Sequence, residues 1–264
     1  MKNRELQTIT VANLKGGVGK TTTAVSLAAG LAMKRRRTIL LDLDAHCSAA
    51  SHLLDPGVVE KAPGVFDVLD GKMGLVEAAV PTHLEGLAVV SPGDSRQRYE
   101  RYAGATDRDE QALRGALAGL KKGPVDYVVI DTPPSVDAFT VHAIAASDWI
   151  LVPVTCEYLP LLGLKKFNQA LAYIREKFRA RPRILGYLLT MVDRRERITW
   201  EVEEILRKTF GSQLFATQIR IDTKVKVCPS HRRTIFEYEG EDGRARSDYE
   251  SLVEEVLERI ESHV

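Results

Sequence analysis

The sequence predicts an α/β fold: a doubly wound, mainly parallel sheet of about seven or eight strands with helices on both faces. Three observations predict it. Short apolar runs alternate with helix-length amphipathic stretches along the 264 residues, the rhythm of strand–helix–strand units. A glycine-rich stretch, Leu14-Lys15-Gly16-Gly17-Val18-Gly19-Lys20-Thr21-Thr22-Thr23, lies between the first apolar run and the first helix. Two further apolar runs, 38–44 and 125–131, end in aspartates. Buried parallel strands with acids at their carboxyl ends place a ligand at the sheet edge.

Composition bounds the alternatives. The length suits a single domain, 1–264, with a full core. Net charge is +1, so any nucleic-acid contact must come from a local patch. The three cysteines, Cys47, Cys156 and Cys228, are scattered, which argues for a reducing, cytoplasmic setting. The first residues, Lys2-Asn3-Arg4-Glu5, are polar and unlike a signal peptide. No apolar run approaches the ~20 residues of a membrane span.

In chain order, residues 8–12 form the first strand and 22–33 the first helix. Between them the glycines let backbone N–H groups converge on anionic oxygens, and the helix N-terminus adds positive potential. Lys20 suits the β- and γ-phosphates of a nucleotide, and the Thr21 hydroxyl suits Mg²⁺. Residues 38–44 read as a buried strand, with Asp42 and Asp44 pointing the same way at period two. Two small helices are expected at 65–69 and 75–80, a strand at 87–92, and an exposed segment at 94–108. A helix follows at 111–122. Residues 125–131 read as a strand whose Asp131 holds Mg²⁺ through water, before the stiff Thr132-Pro133-Pro134-Ser135 loop. Then come a helix at 137–146, a strand at 148–154, a long helix at 161–178 and a strand at 184–193. An amphipathic helix, a short strand at 218–222 and a loop at 223–233 precede the last helix, 247–263. That helix has an apolar stripe and an acidic outer face.

The loop at residue 15 lacks the first glycine of the ordinary G-x-x-x-x-G-K-[ST] pattern and carries Lys15 instead. It resembles the deviant Walker A motif of the ParA/MinD superfamily, and nearly the whole chain resembles its ParA/Soj partition ATPases. Asp131-Thr132-Pro133-Pro134-Ser135 matches that family's D-x-P-P-S in full. The resemblance implies a P-loop NTPase fold, ATP and Mg²⁺ as cofactors, and a homodimer in the ATP state. Lys15 would then act across the dimer, and Lys15, Lys20 and Asp44 would serve hydrolysis. ATP would touch Lys15, Gly16, Gly17, Val18, Gly19, Lys20, Thr21, Thr22, Glu157, Asp193 and Pro229. Mg²⁺ would lie by Thr21, Asp42 and Asp131.

Where the family reads D-x-D-P-Q-G-N, this chain reads Asp42-Leu43-Asp44-Ala45-His46-Cys47-Ser48. The change bears on hydrolysis rate, not on nucleotide binding. His46 reads as a surface histidine or as a contact to phosphate or water. The stretch Val154-Thr155-Cys156-Glu157-Tyr158 resembles the family segment that faces the dimer partner, and Cys228-Pro229-Ser230-His231 the one beside the adenine.

The resemblance further implies nonspecific double-stranded DNA as a partner, through Arg220, Lys224, Lys226, Arg232, Arg233, Arg244 and Arg246. Five acids intervene in that stretch, and the family's I-P-R-N is Ile219-Arg220-Ile221-Asp222 here, so a solvated loop stays open as a second reading. The first seven residues leave no room for the DNA-reading domain that some plasmid ParA proteins carry. A ParB-like partner would stimulate hydrolysis, and the nucleoid would hold the ATP state. The cargo could be a chromosome, a plasmid or a protein assembly. Rival readings are a MinD-like membrane-cycling ATPase, which the acidic last helix disfavours, a nitrogenase-like redox ATPase and a biosynthetic ligase of the same fold.

Overall fold

Alternation along the strands decides the architecture, because successive side chains enter opposite layers. The computed structural model describes residues 5–93, 96–103, 107–135, 137–157 and 160–263. Within them lies one eight-stranded sheet. Its strands are β1 (Gln7–Val11), β2 (Thr38–Asp42), β3 (Val80–Pro81), β4 (Leu87–Val90), β5 (Tyr127–Asp131), β6 (Trp149–Thr155), β7 (Arg183–Val192) and β8 (Leu214–Arg220). The order is β3-β4-β2-β5-β1-β6-β7-β8. Only the β3–β4 edge pair is antiparallel.

Ile9, Val11, Leu40, Val129 and Leu151 face one layer, where α1 (Lys20–Met33) and the helix Arg244–Glu261 cover them. Neighbours of opposite parity, Ile39, Leu41, Val128 and Ile130, pack under Leu113 and Phe139. Ile150, Val152, Tyr187 and Leu189 pack under Phe167 and Leu206. The last helix buries Tyr249, Leu252, Val253, Val256 and Ile260 in that same layer, against the sheet and α1. No described helix is long and apolar enough to cross a membrane.

Three expectations need correction. β2 ends at Asp42, so Asp44 lies in the turn beyond rather than on the strand. Residues 223–233 are not an open loop. Asp222 caps a helical turn, Thr223–Val227, by accepting the Lys224 N–H at 2.9 Å, and Pro229 sits in the 3-10 turn Cys228–His231. The second small helix stops at Ala78, and Val80–Pro81 becomes an edge strand, where a proline costs no ladder bond. Short helices at Ser48–Leu53 and Pro56–Lys61 follow the turn after β2. The expected role of Tyr158 falls outside the described residues, as does part of the 94–108 segment.

Candidate nucleotide site

The carboxyl ends of β1, β5 and β2 lie side by side. Val11 pairs in register with Asp131, and Asp131 with Asp42. From β5 the chain crosses over β1 to β6, so the loop after β1 occupies the crevice where the winding reverses.

That loop is pinned from beneath. Asn13 is buried; its Nδ2 donates to Pro153 O at 2.6 Å and its Oδ1 accepts the Lys15 N–H at 3.0 Å. The Thr190 hydroxyl donates to Val18 O, and the Thr132 hydroxyl to Val11 O, each at 2.9 Å. Gly17 and Gly19 take φ of +73° and +82°, which an L side chain resists. Gly19 caps α1, and its carbonyl receives the Thr23 N–H at 2.9 Å. Thr21 and Thr22 therefore open a helix whose free N–H groups face the crevice, an arrangement suited to phosphate. Gly16 lies under Pro134, with the Cβ positions 3.7 Å apart if residue 16 carried one.

The two lysines of the loop part company. Lys20 is 6% exposed, and its Nζ donates to Lys15 O at 3.0 Å. Burial pulls its pKa down, and the charges of Asp131 and Asp44 pull it back up. Lys15, by contrast, has a side chain 52% exposed and turned outward into an ion pair with Glu157. The hydrogen bond from Lys15 holds the Glu157 carboxyl below its ordinary pKa. Both line a cavity of ≈ 330 Å³ beside the loop.

The acids are arranged for a cation. Asp42 is fully buried and accepts N–H bonds from Ala50 at 2.9 Å and Asp44 at 3.0 Å. Asp131 is fully buried, and neither of its oxygens has a hydrogen-bond partner; the Thr21 hydroxyl stands beside it without closing a well-formed bond. Burial raises the pKa of both, Asp131 the more because Asp42 lies next to it. An orphaned buried carboxylate, Asp131, beside a second buried carboxylate, Asp42, and a hydroxyl fits a divalent cation. Mg²⁺ is an ion that takes few protein ligands and keeps water and phosphate.

β7 ends at Val192, one residue short of the expected end, and Asp193 just beyond it turns to Arg195, whose guanidinium and N–H hold its carboxyl down at about 2. It lines a ≈ 280 Å³ cavity with Arg194, Arg195, Arg220 and Arg244, and Pro229 is not in that lining. Five of the seven basic residues expected at DNA are tied within the chain. Arg220 grips Asp248, Arg244 meets Asp222, Lys224 meets Glu239, Arg232 meets Asp55, and Arg246 meets Glu250. Among the described residues, exposed Lys226 and Arg233 have no ion-pair partner. Asn13, Thr132 and Thr190 escaped sequence reasoning. Only Asn13, a polar residue closing a buried strand, left a signal there.

The comparisons agree with this geometry. Residues 6–184 match the protein-family profile described as an AAA domain. The chromosome partitioning protein ParA of Caulobacter vibrioides is 35% identical over 262 residues, covering 98% of this chain and 97% of that one. The chromosome-partitioning ATPase Soj of Thermus thermophilus is 35% identical over 263 residues, with 99% of each chain covered. In three dimensions the chain resembles cobyrinic acid a,c-diamide synthase of Mycobacterium smegmatis, solved with a bound ATP analog and magnesium. The TM-score is 0.80 at 27% identity, over 98% of this chain and 97% of that one.

Proposed function

The chain belongs to the ParA/Soj family of partition ATPases, and from that membership we propose how its ATP state works. It is an ATPase, and its cofactors are ATP and Mg²⁺. The backbone of residues 16–22 and the Lys20 ammonium hold the phosphates. Thr21, Asp42 and Asp131 surround the metal, which supplies neutralisation of the triphosphate's charge. Asp44 orients the attacking water. Two subunits close face to face over a pair of triphosphates, and Lys15 of each enters the other's pocket.

One observation carries the dimer: Lys15 projects away from its own loop onto Glu157, at the exposed mouth of the site. Lys20 alone serves the pocket it belongs to.

The closed dimer presents the basic surfaces of both subunits to duplex DNA. Phosphate contact needs cations on one face, not base-reading geometry. Lys226 and Arg233 are its leading contacts, supported by Lys224, Arg232 and Arg244; Arg220 and Arg246 mainly hold the fold. A ParB-like protein stimulates hydrolysis and resets the cycle. The ATPase is cytoplasmic and sits on the nucleoid while ATP-bound, moving or positioning its cargo. Binding to a random-sequence duplex tests this. It is expected with ATP·Mg²⁺, not with ADP, and to weaken by orders of magnitude between about 50 and about 200 mM salt. Equal affinity with ATP and ADP counts against the switch.

A further inference from the structure

The helix Ser48–Leu53 touches two regions that lie far apart in the sequence. Asp42 holds one of its ends. The Asp42 Oδ2 accepts the Ala50 N–H at 2.9 Å, and its Oδ1 accepts the Asp44 N–H at 3.0 Å. The helix thus hangs on one of the buried carboxylates that suit the metal. Its other contact is with the basic turn near the C-terminus. His52 is 5% exposed, and its Nε2 lies 2.9 Å from Arg233 O, 181 positions along the chain. A carbonyl only accepts, so Nε2 carries the proton. Burial pulls the His52 pKa down, which keeps the ring neutral. The buried Cys228 sulfur lies 3.9 Å from the same nitrogen.

The basic turn needs a hold from outside. Arg232 takes φ of +50°, a conformation that non-glycine residues adopt rarely and keep only where their surroundings fix it. The next carbonyl is the one that His52 grips, and the Arg232 guanidinium reaches Asp55, just past the same helix, at 3.3 Å. That ion pair is exposed and weak, whereas the His52 bond is shielded from water. Lys226 and Arg233 stand on either side of the turn Cys228–His231.

We propose that His52 is a positioning residue that carries the state of the nucleotide site to the DNA face. This rests on the reading that the basic turn meets duplex DNA in the ATP state. Ala50 and His52 are two positions apart on one helix, less than a full turn, so no slack segment lies between their two bonds. When the site fills, a shift of the Asp42 carboxylate moves the helix that hangs on it. His52 then passes the shift to Arg233 and its neighbours. The link runs both ways, because coupling between two binding sites is reciprocal.

The test measures affinity for a random-sequence duplex with a non-hydrolysable ATP analogue and Mg²⁺, and again with ADP and Mg²⁺. Wild type, His52→Gln and His52→Ala are compared, beside thermal melts and analogue affinity without DNA. Glutamine brings an amide N–H close to the Nε2 position; alanine has no donor. Wild type and His52→Gln are expected to favour the analogue state strongly. His52→Ala is expected to keep its analogue affinity and to lose at least about fivefold from the ratio of the two DNA affinities. Saturating duplex should tighten analogue binding to wild type, and at least about fivefold less to His52→Ala. Should the alanine variant not fold, His52→Asn takes its place, since its shorter amide cannot reach Arg233 O. A folded His52→Ala or His52→Asn chain with the wild-type ratio overturns the proposal, as does a His52→Gln chain uncoupled as fully as alanine. A wild type that binds DNA equally with both nucleotides fails at the switch itself and takes the proposal with it.

Discussion

Lys15 and Glu157 are ion-paired with each other inside one subunit, across the mouth of the phosphate crevice. Both side chains are exposed, so the pair contributes ~1 kcal/mol or less to stability. A contact that weak is easily exchanged for a better one. In the proposed dimer Lys15 would exchange that carboxylate for a partner's triphosphate, a far denser negative charge. The ion pair keeps the lysine at the rim of the crevice, where the proposed exchange would take place.

Asp131 is fully buried with both oxygens unpartnered. Asp131→Asn removes the cost of burying a carboxyl that ionises freely only in the unfolded chain, so it should raise the thermal stability of the Mg²⁺-free chain, by roughly 1–3 kcal/mol. It should also abolish Mg²⁺-dependent hydrolysis. Thermal melts with and without Mg²⁺, beside a phosphate-release assay, check both halves.

Gly30 sits in α1 where a Cβ would stand 2.4 Å from Val253 Cγ2 and 3.2 Å from Phe236. Alanine gains ~1 kcal/mol in helix propensity, but overpacking a rigid valine costs about 1–3 kcal/mol. Gly30→Ala should therefore lower the urea midpoint while leaving ATP binding intact.

Basic residues of the proposed DNA face should separate into two groups. Arg220→Ala strips the bidentate guanidinium from buried Asp248 and should cost about 1–3 kcal/mol of stability. Lys226→Ala and Arg233→Ala should leave melting unchanged. Each should weaken DNA binding and reduce the salt slope by about one. Titrations against duplex at several salt concentrations, beside melts, distinguish the two groups.

Burial pushes the Cys156 and Cys228 thiols up to about 11, whereas Cys47 is half-buried where the turn after β2 meets the helix Ser48–Leu53. Thiolate is the reactive form, so its fraction falls as pKa rises. At about pH 8, iodoacetamide should label Cys47 at least ~100-fold faster than the other two. Their labelling should climb about tenfold per pH unit as pH approaches their pKa. Mass spectrometry of digested samples gives the three rates.

The phosphate loop, the Asp131 strand and the parallel core were legible in the sequence because each depends on local spacing. Glycines at 17 and 19 satisfy a backbone need, and apolar runs at 127–131 and 149–155 follow strand period. The turn at Asp44 was not legible, because an apolar run does not say where its last ladder bond falls. The helix at Pro56–Lys61 begins at the start signal Asp55-Pro56, whereas the preceding short helix Ser48–Leu53 carries no such signal. Neutralisation of the basic residues was hidden, since Arg220 finds Asp248 28 positions along the chain. The bond between Asp44 and His46 spans two residues, yet depends on a turn that ends at Cys47 with φ of +50°.

Molecular mass in solution tests the central claim most directly. Light scattering on wild type and Lys15→Gln, each with a non-hydrolysable ATP analogue and Mg²⁺, should find the wild type doubled in mass. Lys15→Gln should remain single while still binding the analogue. A Lys15→Gln chain that doubles as readily as wild type, or a wild type that stays single while saturated with the analogue, contradicts the account.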